Sequence, residues 1–215
     1  MSSLPWEKRE VHLPLALAAI AAMVLLVVAL GILVGERYFW NPFDRRPQAQ
    51  VDREHWEAVL KRDPGNSDAL FQLGWAYYQL GQADKAEAAY ERVLALVPDH
   101  VGARYNLAII AREQEKPDQA ITHLQWIAER FPRHELAHYT LGLTYLDQKR
   151  YADAAGSFEK VLALNRTSAD AHYELGLAYR GEGDESKAEQ EFREALKYNP
   201  ELTEARQALE RRQTP

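Results

Sequence analysis

Four prolines of the 215-residue chain fall on one ruler: Pro64, Pro98, Pro132 and Pro200 are separated by multiples of 34. The vacant mark, position 166, holds Arg166. Other columns keep the same step. Leu73, Leu107, Leu141 and Leu175 form one, and Gly74, Ala108, Gly142 and Gly176 form the next. Ala86, Ala120, Ala154 and Ala188 form a third, followed by Tyr90, Leu124, Phe158 and Phe192. A fixed period of this length with small residues at fixed offsets constrains the chain to a stacked helical array, because one such unit cannot bury its apolar face alone.

Within each unit the apolar residues recur with a helical period, which predicts two helices of roughly 13 residues. In the first unit these are 68–80 and 83–96, with Gly81 in the turn, where a left-handed backbone suits glycine, and Pro98 ending the second helix. The following pairs are predicted at 101–114 and 117–130, at 135–147 and 151–164, and at 169–181 and 185–198. The two small columns let the paired helices approach closely. The large column Tyr90, Leu124, Phe158 and Phe192 is expected to fill the space towards the next unit.

Leu73-Gly74, Tyr77, Gly81, Ala86, Tyr90 and Pro98 together resemble the tetratricopeptide repeat. The pattern recurs as Leu141-Gly142, Tyr145, Ala154, Phe158 and as Leu175-Gly176, Tyr179, Gly183, Ala188, Phe192, Pro200, with a weaker copy in Leu107-Ala108, Ala111, Ala120, Leu124, Pro132. The family's frequent tryptophan early in the first helix is replaced by Leu70, Arg104, His138 and His172. The resemblance implies an all-α tetratricopeptide (TPR) solenoid of four repeats over 67–200. Trp56 and Pro64 continue the register backwards, so 51–66 is expected to hold a lone second helix that caps the stack. Residues 201–215 continue it forwards as a polar closing helix and tail, as solenoid ends require.

Ahead of the array, Leu13 to Val34 is 22 residues without a charge, and thirteen of them are Leu, Ile or Val. As a helix it spans roughly 33 Å, about one hydrocarbon core. Those thirteen residues favour insertion by roughly 4–8 kcal/mol. The stretch exceeds a signal-peptide core, and Gly35-Glu36-Arg37 is not a small-x-small cleavage site, so one uncleaved transmembrane anchor is expected at 13–34. Residues 1–12 form its flank and 35–50 a linker punctuated by Pro42 and Pro47. Lys8 and Arg9 on one side face Arg37, Arg45 and Arg46 on the other, which does not fix the orientation. A plasma (inner) membrane location with an extracytoplasmic soluble domain is favoured, since a single amino-terminal anchor most commonly exports the soluble domain behind it. Gly31 and Gly35 form a G-x-x-x-G that would allow a homodimer through the anchor.

Residues 51–215 carry 21 Lys and Arg against 28 Asp and Glu, a net of −7, which argues against nucleic acid and against docking on anionic lipid. The chain has no cysteine, which removes disulfides, thiolate metal sites and a cysteine nucleophile.

Tetratricopeptide stacks commonly hold an extended peptide or a partner helix in a concave groove lined by the first helix of each unit. That resemblance assigns the groove to Phe71, Tyr105, Tyr139 and Tyr173, then Trp75, Ile109, Leu143 and Leu177, then Tyr78, Arg112, Leu146 and Arg180, with Asn106 beside them. The family often places asparagine in the middle column. Here it is apolar throughout, which predicts a groove for apolar side chains. The alternative is a strip covered by the protein's own termini, linker or second copy. The clamp that some family members use for acidic carboxyl termini is not expected, because it needs lysine, arginine and asparagine in the groove, and only Asn106 fits while Phe71, Trp75, Leu136 and Thr140 stand at the other places.

His134-Glu135-Leu136-Ala137-His138 matches H-E-x-x-H, the zinc-peptidase signature. The repeat register accounts for it better. His134 follows His100 by one period, His138 precedes His172 by one, and Ala137 belongs with Ala69, Ala103 and Ala171. A third ligand is not evident. No catalytic residue, metal or cofactor is expected. The chain is expected to be a membrane-anchored protein–protein interaction scaffold assisting assembly of a membrane or envelope complex. The alternatives are a structural subunit of such a complex and, remotely, a zinc peptidase.

Overall fold

A computed structural model describes residues 47–210, and the anchor at 13–34, the Gly31/Gly35 pair and most of the linker lie outside them. The described residues form ten α-helices and no strand. They are α1 (Gln48–Arg62), α2 (Ser67–Gln79), α3 (Ala83–Leu96), α4 (Val101–Glu113), α5 (Pro117–Arg130), α6 (Glu135–Asp147), α7 (Tyr151–Leu164), α8 (Ala169–Glu182), α9 (Glu185–Tyr198) and α10 (Thr203–Glu210). Four helix pairs stack between two single helices. None of the ten is long and apolar enough to cross a membrane.

The first helix of each pair starts on a side-chain cap that repeats with the period. Asn66 Oδ1 accepts from the Ala69 amide at 2.9 Å, His100 Nδ1 from Ala103 at 3.0 Å, His134 Nδ1 from Ala137 at 3.1 Å and Ser168 Oγ from Ala171 at 3.3 Å. Each cap satisfies one of the amides a helix start leaves unpaired. The turn inside each pair needs a left-handed residue. Gly81 (φ 70°) and Gly183 (φ 86°) supply it without strain, whereas Glu115 and Lys149 are held there at φ 57°. Pro117 takes the first position of α5, where its missing N–H costs nothing.

The small column and the large column meet inside one unit. A methyl group on Gly74 would fall 2.7 Å from the Tyr90 ring, on Gly142 2.7 Å from Phe158, and on Gly176 2.5 Å from Phe192. The ring therefore lies first on the glycine of its own pair, rather than mainly towards the next unit as its size suggests. Tyr90 nonetheless shares a buried cluster with Ala103 and Leu107 of the following pair. The second unit makes the compensating change on both helices, pairing Ala108 with Leu124, and both are fully buried. Fully burying each such side chain stabilises by roughly 1.5–3 kcal/mol.

Neighbouring units are stitched by a tyrosine hydroxyl. Tyr77 donates to Glu57 at 2.8 Å, Tyr145 accepts from Gln125 at 2.8 Å, and Tyr179 donates to Glu159 at 2.8 Å. The partner is always 20 residues earlier, on the second helix of the preceding unit. Glu57 lies on α1, so α1 occupies the place of such a helix, as a capping half-repeat should. It starts at Gln48, inside the stretch assigned to the linker, because Pro47 precedes the first turn and Gln48 Nε2 donates to Asp52 Oδ1 at 2.8 Å. At the other end α10 buries Ala205 and Ala208 against the last pair.

The proline ruler is a row of backbone carbonyls. Arg104 donates to Pro98 O at 2.9 Å, His138 Nε2 bonds Pro132 O at 3.0 Å, His172 Nε2 bonds Arg166 O at 3.1 Å, and Arg206 donates to Pro200 O at 2.7 Å. Arg166 breaks the residue column and keeps the carbonyl. Thr167, whose amide and hydroxyl both bond Asn165 Oδ1, closes the turn that proline closes elsewhere.

Candidate functional site

The structure places all thirteen groove residues on the exposed side of α2, α4, α6 and α8. Twelve are half-buried, and Trp75 is 43% exposed. Helical spacing aligns the columns, because residues four and three apart share one face.

Between the first two units, Trp75, Tyr78, Tyr105, Asn106 and Ile109 enclose a pocket of about 220 Å³. Trp75 stacks on Tyr78 with ring centroids 5.6 Å apart. The tyrosine hydroxyls are engaged outside the pocket. Tyr78 donates to Glu113, and this bond followed by burial pushes its pKa up to about 12. The Tyr105 hydroxyl bonds Thr140 Oγ1 at 3.0 Å. What the pocket presents is ring face, with the Asn106 carboxamide at its side. The hydroxyl of the fully buried Tyr90 lies beside Asn106 but too far from it for a full hydrogen bond. Burial pushes its pKa up and Asn106 opposes this.

At the next junction the Tyr105–Thr140 bond joins α4 to α6. On its turn side, Arg112 donates to Asp147 at 2.9 Å at the mouth of a wider depression of about 710 Å³ lined also by Ile109, Glu113 and Thr144. Arg112, assigned to the groove from the sequence, is thus an internal ion-pair partner. Arg180 lies over the Phe192 ring at 5.1 Å.

Two periods on from the aromatic pocket, the equivalent positions are Leu143, Leu146, Tyr173, Glu174 and Leu177. Sequence reasoning does not single out Glu174. Its carboxyl has no hydrogen-bond or ion-pair partner among the described residues. Burial, then Asp170, then Asp147 push its pKa up to about 7. Tyr139 is pushed up to about 12 by burial, then by the charges of Glu174 and Asp170. The available signal is the column Gln72, Asn106, Thr140, Glu174, which changes at every step.

The H-E-x-x-H residues do not converge. His134 is a helix cap, His138 bonds a backbone carbonyl, and Glu135 accepts from Asn165 at 3.1 Å. Among the described residues no group of three or more His, Asp or Glu is placed to hold a metal ion.

Comparison with known proteins agrees with this architecture. Family models for the tetratricopeptide repeat match residues 67–100, 105–168 and 139–203. No curated protein matches the chain in sequence. Among solved structures, MamA is 26% identical with a TM-score of 0.67, over 73% of this chain and 85% of that one. YrrB, described as a TPR protein with an unusual peptide-binding site, is 20% identical with a TM-score of 0.67, over 75% of this chain and 83% of that one. At that identity the second likeness shows the fold alone. With its repeat columns, its stacked helix pairs and family models over more than half its length, the chain belongs to the tetratricopeptide repeat family.

Proposed function

We propose that the chain is a membrane-anchored interaction module whose concave groove takes the apolar side chains of an extended peptide or partner helix. Tetratricopeptide stacks are protein–protein interaction modules, so the question for this chain is what its groove accepts. The observation that carries the answer is the pocket of Trp75, Tyr78, Tyr105 and Ile109, which is lined by rings and an aliphatic side chain while the tyrosine hydroxyls are tied off. Such a surface gains from burying apolar groups and offers little to an acidic ligand. The sequence at 13–34 would confine the array to a bilayer, which raises the effective concentration of any partner in the same membrane. We assign the array to the extracytoplasmic side of a plasma (inner) membrane, in the service of assembling a membrane or envelope complex.

A photo-crosslinker at Trp75 or Leu143 in native membranes, followed by mass spectrometry, tests the groove. The expected result is a discrete adduct lost on adding Trp75→Ala to the Leu143 probe. Partner recovery that survives Trp75→Ala and Leu143→Ala but requires the anchor would make the chain a structural subunit instead. Protease protection of the array in intact cells with a permeable outer layer would reject the extracytoplasmic assignment.

A further inference from the structure

The groove is not uniform along its length. Its repeat-related positions differ in chemistry. The first is aromatic with a carboxamide at its side. The middle one is crossed by the Tyr105–Thr140 hydrogen bond. The third, two periods from the first, replaces Trp75 by Leu143, Tyr78 by Leu146, Ile109 by Leu177 and Asn106 by Glu174. Three leucines and a carboxyl group there accompany the retained tyrosine, Tyr173.

We propose that the third slot receives a lysine or arginine side chain of the partner, its methylene stem on Leu143, Leu146 and Leu177 and its cation on the Glu174 carboxylate. This rests on the groove proposed for the chain and names the chemistry of one end of the ligand. Complementarity carries it. Glu174 is half-buried, yet no described lysine or arginine pairs with it. Arg112 is committed to Asp147, and Arg180 to the face of Phe192. The remaining charges facing Glu174 are Asp170 on its own helix and Asp147 at the end of α6. A carboxyl group in that position is destabilised in its charged form, and an incoming cation relieves both the burial and the like-charge cost. Long basic side chains suit such a slot because their stems are apolar and only their tips are charged. A ligand spanning both ends would therefore carry an apolar or aromatic side chain for the Trp75 pocket and a basic one for Glu174. An acidic segment is excluded at the third slot by the same charges.

A phage library of random dodecapeptides, panned against the full-length chain in nanodiscs, tests this. Enriched peptides are then made synthetically and measured by fluorescence anisotropy. The expected result is that they pair an apolar residue with a lysine or arginine, and that Glu174→Gln weakens them about tenfold or more, the scale of a charge-assisted hydrogen bond. Replacing the peptide's lysine by norleucine should weaken binding to the natural chain and not to Glu174→Gln. Affinity should also rise between about pH 6 and pH 8 as Glu174 ionises. Peptides without a basic residue, or affinities that Glu174→Gln leaves unchanged, would overturn the proposal while the groove reading survives, provided that Trp75→Ala still weakens them. Peptides indifferent to Trp75→Ala and Leu143→Ala, or a library that yields none, would overturn both.

Discussion

The pairing of small and large residues inside each unit can be tested by exchanging it between units. In the third unit Gly142 lies under Phe158, and in the second Ala108 lies under Leu124. Gly142→Ala alone brings a methyl group to 2.7 Å from a fully buried ring that has nowhere to retreat. Overpacking costs about 1–3 kcal/mol, and the better helix propensity of alanine returns about 1 kcal/mol. The net expectation is a loss of roughly 0–2 kcal/mol. Phe158→Leu alone leaves a void above Gly142 and costs roughly 1–2 kcal/mol. The double variant recreates the Ala108/Leu124 arrangement and should lose less than about 1 kcal/mol, giving a favourable coupling of roughly 1–2 kcal/mol. Equilibrium urea unfolding by far-UV circular dichroism of the four proteins measures it. The reciprocal pair, Ala108→Gly with Leu124→Phe, should couple with the same sign. Single-variant losses that add to within about 0.5 kcal/mol would refute the reasoning, because that is the behaviour of independent sites.

Other expectations concern backbone, charge and metal. Lys149→Gly and Glu115→Gly relieve left-handed strain at φ 57° and should each stabilise by up to about 1 kcal/mol in the same urea assay. Glu174 binds its proton more tightly folded, near 7, than unfolded, near 4.5, so its contribution is fully present below about pH 4.5 and lost as pH rises through 7. After allowance for solvent screening, Glu174→Gln should be more stable than the natural chain by roughly 1–2 kcal/mol at about pH 8 and equal to it at about pH 4. Tyr90→Phe removes a buried hydroxyl whose contact with Asn106 falls short of a full hydrogen bond and should shift stability by less than about 1 kcal/mol in thermal unfolding. Added zinc or a chelator should leave the melting temperature unchanged, since His134 and His138 are committed to the backbone.

The helices are legible in sequence because the period repeats them. Four copies of one pattern average out the uncertainty of any single boundary, and the predicted spans differ from α2 to α9 by one residue at most. The same repetition disarms the zinc motif, and the structure supplies the physical reason in two backbone hydrogen bonds. Repetition fails wherever a column changes. Arg166 looks like a defect because sequence shows side chains, and what the fold uses there is a carbonyl. Glu174 is invisible for a related reason. Glutamate on a helix is ordinary, and its meaning depends on burial and on the absence of a cation, neither of which a column of Gln, Asn, Thr and Glu conveys. The large aromatic column sits at the core as its pattern predicts, but its closest neighbour differs from the expected one, because the depth of a glycine groove emerges only when two helices meet.

The tyrosine stitch has one gap. Where the other junctions have Tyr77, Tyr145 and Tyr179, the junction between the first and second units has Ala111, and Glu91 stands opposite without a hydroxyl to hold. In a linear array, cooperativity is only as long as the coupling between neighbours is strong. The gap therefore marks where α1 to α3 can separate energetically from the rest as one block, exchanging their amide protons together. The aromatic pocket spans that seam, with Trp75 and Tyr78 on one bank and Tyr105 and Ile109 on the other. The Tyr78–Glu113 bond crosses that seam, and a ligand seated there would add to it, so that the two blocks exchange more nearly as one when filled.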